Sequence, residues 1–248
     1  MKLFIYILFF INLSASNLNL NYIGELSLFG KVADASINYF NDGKHYHIKV
    51  SGRGSGIIAR LTNNRHYVYE SIGDVHNEIL IPKTYITSEI TADENSTKIY
   101  TFDYQSSSTI VETHKVKVID NSKFNIITFK YDKDQKIIEK KKKKIIKNIY
   151  NDDMVSVFFN KRNKLLNMNI GDVKILFAVG SKDMQKGMIV KLKSIKDDLY
   201  TYSIEVKKDY LDSGSEEAEF ILDKNNILSE TSLDGILLFG NAKIKRIR

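Results

Sequence analysis

The sequence predicts a mainly β protein built from antiparallel strands, with two short helices. Three observations lead there. Segments in which apolar and polar residues alternate dominate the chain. No helix-length periodic segment separates one strand from the next, which argues against a parallel sheet with crossover helices. Pro82 is the single proline, and short polar turns rather than Gly/Ser-rich linkers divide the strands, so residues 17–248 read as one domain. At 248 residues, 43% of them hydrophobic, the chain can build a core without covalent staples.

The N-terminus reads as an export signal. Lys2 supplies a positive start, 3-LFIYILFFINL-13 an apolar run, and Ser14-Ala15-Ser16 small residues for cleavage, so residues 1–16 form the expected signal peptide. The run of 11 residues is short beside the roughly 20 that a membrane span needs. The clearest hairpin follows at 35-ASINYFNDGKHYHIKV-50. Ala35, Ile37 and Tyr39 alternate with polar residues, Asp42-Gly43 makes the turn, and Tyr46, Ile48 and Val50 alternate on the return. Further strands are expected at 20–28, 65–72, 84–91, 98–104, 109–119, 124–131 and 136–149. A second group is expected at 172–180, 187–196, 199–207, 217–223, 227–233 and 236–247. One short helix is expected from about Gly56 to Leu61, with Ser55 as its cap. A longer one is expected from about Asp152 to Leu165. There Met154, Val155, Phe158 and Phe159 share a face, aspartates open the segment, and Lys161, Arg162 and Lys164 close it.

There is no cysteine, so neither a disulfide, a lipid-anchoring cysteine nor a thiolate is available. Export without an anchor points to a soluble periplasmic protein. The formal net charge of +7 is concentrated in 136-KIIEKKKKKIIK-147. As a strand, Lys140, Lys141, Lys142, Lys143 and Lys144 would point both ways, so the segment must project as an edge. Those five lysines are the expected electrostatic contact with an anionic membrane or glycan surface. In an exported chain, nucleic acid is not the expected partner.

Several segments carry a family resemblance: "YIGELSLFGKVADASINY", "VSGRGSGIIARL", "RHYVYES", "ILIPKTYI", "KIYTFDY", "DDMVSVFFNKRNKLLNMNIGD" and "EAEFILDKNNILSETSLDGILLFGNAKIK". In this order they resemble the bacterial domain-of-unknown-function family 3108, mostly exported proteins, from about Tyr22 to Lys245. The lysine run and "AEFILD", which stands where the family commonly has a tryptophan-containing strand, depart from it. The resemblance implies one large, strongly curved antiparallel sheet, a half-barrel or open barrel, with both helices packed on the concave side. That is similar to the half-barrels of periplasmic lipoprotein carriers. The family has no established reaction, so the resemblance transfers no catalytic residue.

The catalytic constellations considered lack their spacing. In 52-GRGSGIIA-59 the glycines alternate, whereas a dinucleotide loop needs its third glycine three residues after the second, and no Lys-Ser/Thr follows. The glycines are expected instead to serve a strand-to-helix corner. His45 and His47 share a strand face beside Lys49, with too few partners for a metal site. Acidic pairs such as Asp152/Asp153 suit caps and turns, and no nucleophile elbow is present. No enzyme activity, cofactor or metal is therefore expected. On the curved-sheet expectation, Ile57, Ile58 and Leu61 drop into the concavity beside Val155, Phe158 and Phe159. These six are the candidate ligand-binding residues for a hydrophobic or amphiphilic envelope component, such as a lipid or a lipoprotein acyl chain. The alternative is an envelope interaction or scaffold protein whose concave side is a filled core.

Overall fold

The computed structural model describes residues 16–125, 129–132, 134–147, 150–181, 187–205, 217–236 and 240–247. The expected signal peptide, apart from Ser16, lies outside the described residues. Its strands are β1 (Ser16–Leu26), β2 (Gly30–Asn41), β3 (His45–Gly54), β4 (His66–His76), β5 (Ile79–Ile90), β6 (Glu94–Asp103), β7 (Ser108–Asp120), β8 (Lys123–Asn125), β9 (Lys130–Asp132) and β10 (Gln135–Lys147). After the central segment come β11 (Val173–Leu176), β12 (Met188–Lys196), β13 (Leu199–Glu205), β14 (Glu217–Asp223), β15 (Leu228–Ile236) and β16 (Gly240–Ile247). Among the described residues two α-helices, α1 (Gly56–Leu61) and α2 (Ser156–Phe159), accompany the strands.

Fourteen strands form one antiparallel sheet in the order β10-β7-β6-β5-β4-β3-β2-β1-β16-β15-β14-β13-β12-β11, and β8 pairs with β9 in a separate hairpin. The chain starts in the middle of the sheet and meanders to the β10 edge. It then crosses through residues 150–172, resumes at the β11 edge and meanders back until β16 pairs with β1. Turn chemistry fixes the register where the sequence suggests it. Between β2 and β3, the Asp42 carboxylate accepts from the Lys44 and His45 amides, and Gly43 takes φ +86°.

The sheet curls, and the crossing segment proves it by geometry. Asn160 bonds the Leu80 carbonyl of β5, while the Leu165 carbonyl accepts from the Tyr202 hydroxyl of β13. In the strand order β5 and β13 are eight places apart, roughly 38 Å across a flat sheet at about 4.8 Å per strand. Five residues of chain reach at most about 18 Å, and the two side chains do not make up the difference. A single apolar cluster accordingly unites Tyr39, Ile48 and Tyr69 with Tyr202 and Phe220 from the other half of the sheet. The sheet is curved but unclosed: among the described residues β10 and β11 each pair on one side only.

Both helices depart from expectation. The expected helix from Asp152 to Leu165 is regular only over Ser156–Phe159. Asn160 is extended at φ −80°, ψ 117°, and two 3-10 turns follow, separated by Lys164 at φ 46°. The reason is tertiary. Every residue from Asp152 to Asn160 is buried, so the segment is walled on all sides rather than amphipathic, and bonds to the sheet replace its own ladder. In α1, Ser55 makes no side-chain cap. Of its three apolar residues only Ile58 is buried, against Leu26, Val32 and Ala242 in a small second cluster. Ile57 and Leu61 are 52% and 67% exposed, because a six-residue helix lying on β2 and β3 covers one side only. The glycine corner behaves as expected. Gly56 has φ +58°, and a Cβ on Gly54 would press to 3.3 Å on the Ala59 amide and the Ile58 side chain.

Candidate functional site

Two constellations stand out: the polar anchor that holds the crossing segment inside the sheet, and the lysine edge. At the anchor, Asp153 is fully buried. One carboxylate oxygen accepts from the Val155 and Ser156 amides at 2.8 Å, and the Ser156 hydroxyl accepts in return from the Asp153 amide at 2.9 Å. This reciprocal pattern caps α2 and is legible in the sequence as D-x-x-S. The other oxygen accepts from the Ser71 hydroxyl of β4 at 2.6 Å, and Ser71 lies 2.9 Å from the Tyr46 hydroxyl of β3. Burial, against the donors from Ser71, Ser156 and Val155, pushes the Asp153 carboxyl up to about 7. Burial also raises Asp152, against Arg162, Asn160 and Asn163. The Arg162 Nε is 3.9 Å from Asp152, a charge contact too long for a hydrogen bond.

Asn160 is the second clip. Its amide group donates to the Leu80 carbonyl at 2.8 Å and to Asp152 at 2.7 Å, and its oxygen accepts from the Leu80 amide at 3.2 Å, so it pairs with β5 as a strand would. Asn160→Ala leaves the Leu80 amide without a partner inside the core and takes a donor from Asp152, while the Leu80 carbonyl keeps the Arg162 guanidinium at 2.6 Å. The expected loss is about 2–3 kcal/mol, measured as a shift of the urea midpoint with an unchanged slope.

These clips decide where the predicted ligand residues go. Val155, Phe158 and Phe159 face the concave side as expected, but they fill it. Each is at most 2% exposed, and Phe159 stacks on Tyr39 with ring centres 5.7 Å apart. Ile58 sits in the other cluster, and Ile57 and Leu61 face outward. The structure therefore does not bring the six together around a shared space.

The lysine edge is built by register. On β10 every residue is exposed except the half-buried Ile138 and Ile146, and its far side pairs with no strand among the described residues. Strand alternation splits the run. Lys140, Lys142 and Lys144 lie opposite Lys115, Thr113 and Val111 of β7, and Thr113 lies opposite Lys98 of β6. Val111 belongs to the core, so this is the inner face, extended beyond the packed interior. Lys141 and Lys143 take the outer face with Glu139, His114 and Glu112.

The acids are shared out unequally. On the outer face Lys141 pairs with Glu139 at 2.8 Å, Lys143 with Glu112 at 2.9 Å, and His114 with Glu139 at 2.7 Å. On the inner face Glu94 engages Lys115 at 2.6 Å, while Lys98, Lys140, Lys142 and Lys144 have no ion pair among the described residues. Alternate lysines on one strand face stand about 6.8 Å apart. Strand alternation puts Ile137 and Ile145, 70% and 64% exposed, on the outer face with Lys141 and Lys143, and Phe129, between β8 and β9, is 78% exposed. The sequence marks the five lysines. Lys98 and Lys115 were missed because only strand register brings them alongside.

The histidines face separate carboxylates: His45 meets Asp74 at 3.2 Å and His47 meets Glu70 at 2.8 Å. Among the described residues no three His, Asp or Glu side chains gather as metal ligands. No described helix is long and apolar enough to cross a membrane.

Fold and site together define a class: an open, curled antiparallel sheet filled by its own crossing segment, with a cationic free edge. No family model, curated protein or solved structure matches the chain.

Proposed function

We propose that the protein is a non-enzymatic, peripheral protein of the cell envelope that docks on an anionic lipid surface through the β10 edge. The observation that carries this reading is the separation of charge across the edge ribbon. Glutamates neutralise the outer lysines, while Lys140, Lys142 and Lys144 form an uncompensated row. Lysines near an anionic leaflet gain roughly 1 kcal/mol each, and only those without an acidic partner keep that gain in full. The export signal expected at residues 1–16 supports an envelope location. An acyl-chain carrier would need the crossing segment to leave the concave side, so the filled-core alternative is the reading favoured here.

Sedimentation with vesicles tests the proposal. The full chain is expected to pellet with phosphatidylglycerol vesicles and not with phosphatidylcholine ones, and to be released as salt rises, because the contact is screened. Equal binding to both vesicle types, or none to either, contradicts it. Binding to a soluble sulfated glycan but not to the vesicles transfers the edge to a glycan partner and overturns the lipid assignment.

A further inference from the structure

The stretch 50-VSGRGSGIIARL-61 has no phosphate-loop spacing, yet its residues Ser51 to Ser55 line a pocket to which the crossing segment contributes no residue. The pocket has a volume of about 720 Å³ and lies over β1, β2, β3 and the start of β4. That is within the usual size range for a small-molecule site. Strand alternation places it on the outer face of the sheet: Ile37, Val50 and Tyr67 point into the core, so their neighbours Ser36, Ser51 and His66 point away from it.

Register arranges the lining in two cross-strand rows. Ser36 pairs with Ser51, their hydroxyls 2.9 Å apart. In the next row Asp34 pairs with Arg53, and Arg53 with His66. Lys31 already engages Asp34 at 2.7 Å, whereas the side chains of Arg53 and His66 have no hydrogen-bond or ion-pair partner among the described residues. Burial, then the charges of Arg53 and Lys49, drive His66 below its usual value. At neutral pH its ring therefore offers one donor and one acceptor. Asn64 adds an amide at the end of the pocket.

We propose that this pocket binds an anionic sugar unit, with the acid group on Arg53 and the hydroxyls on Ser36, Ser51, Asn64 and His66. A guanidinium without an acidic partner calls for an anion, and it matches carboxylate and phosphate alike. The surrounding hydroxyls and amide call for a ligand rich in hydroxyl groups. A bare inorganic anion would engage Arg53 and leave most of the 720 Å³ unused. An apolar ligand would strand every polar group of the lining. The inference is independent of the lysine edge.

Calorimetry of the full chain with galacturonate, glucose 6-phosphate, glucose and inorganic phosphate, paired with the NMR shift of the His66 ring, tests it. At least one of the two anionic sugars is expected to move His66. It should bind about tenfold or more tightly than glucose, the value of one charge-assisted contact, and more tightly than inorganic phosphate, which leaves the hydroxyl partners unused. Whichever of the two binds identifies the acid group as carboxylate or phosphate. Arg53→Gln should remove the preference, and Ser51→Val should weaken the sugar more than inorganic phosphate. Neither change touches the core, so unfolding midpoints should stay level, separating lost binding from lost fold. No response at His66 to either anionic sugar overturns the proposal. Equal affinity for inorganic phosphate also overturns it, leaving a simple anion patch.

Discussion

Asp153→Ala is expected to lower the unfolding free energy by roughly 3–5 kcal/mol, since three buried donors lose their acceptor at about 1–3 kcal/mol apiece. Those donors are the Val155 and Ser156 amides and the Ser71 hydroxyl, so the loss uncaps α2 and unhooks it from β4 together. Asp153→Asn should recover most of the stability, because its oxygen still accepts from the two amides and its nitrogen can donate to Ser71. The pair also has a pH signature. Burial raises the folded-state carboxyl to about 7. The unfolded chain releases that proton near pH 4, its usual range. The folded state therefore holds the extra proton between these values. This contribution is fully present below about pH 4 and is lost as pH rises through about 7. Wild type should be more stable near pH 5 than near pH 8, by an amount on the order of a few kcal/mol, and Asp153→Asn should remove most of the difference. Asp152, raised in the same sense, accounts for a remaining slope. Chemical denaturation at the two pH values reads all three proteins, and a wild type that is more stable at the higher pH contradicts the account.

The second large effect is expected at Gly73. A Cβ there would lie 2.0 Å from the Ile81 carbonyl oxygen and 2.9 Å from the Pro82 Cα, both backbone atoms that cannot swing aside. At this point β4 and β5 shift register, Ile72 facing Thr84 and Gly73 facing Pro82. Gly73→Ala must push the strands apart just where Leu80 receives Asn160, so it strains the sheet and the clip together. The expected cost is about 3 kcal/mol or more, at the upper end for overpacking, or a melting temperature lower by roughly 6–12 °C. Gly43→Ala is the control. It has positive φ but open space, with no atom within 4 Å, and should cost about 1–2 kcal/mol. Equal effects at the two glycines would contradict the close-approach explanation.

How much of this was legible in the sequence depends on how local each cause is. The hairpin at 35–50 reads directly, since alternation and the Asp42-Gly43 turn act within a few residues, and 217–223 is a strand with the expected bounds. Curvature came only through the family resemblance. It arises from contacts between Asn160 and β5 and between Leu165 and β13, which no local pattern encodes. The same contacts explain the broken second helix. Apolar spacing from Met154 to Phe159 imitates an amphipathic face, although the segment is enclosed all round. The candidate ligand residues were half legible: apolar character marked Phe158 and Phe159 as inward, while the outward turn of Ile57 and Leu61 follows from how little of α1 is covered. The exposed edge was predictable because five consecutive lysines cannot share a buried strand. Which of them lack acidic partners depends on the register of β10 with β7, and so on Glu112, far from its partner Lys143 in the chain.

The division between the two faces of β10 is the most direct test of the account. Two full-length variants are compared on phosphatidylglycerol vesicles: the inner-face triple, with Lys140, Lys142 and Lys144 changed to Gln, and the outer-face pair, with Lys141 and Lys143 changed to Gln. All five side chains are exposed, so both variants should keep the wild-type unfolding midpoint. The inner triple is predicted to bind roughly a hundredfold more weakly than wild type, from the gain expected per lysine near an anionic leaflet. The outer pair, already neutralised by Glu139 and Glu112, should change affinity by no more than a few-fold. Equal losses per lysine from the two faces, or a triple that binds like wild type, would contradict it.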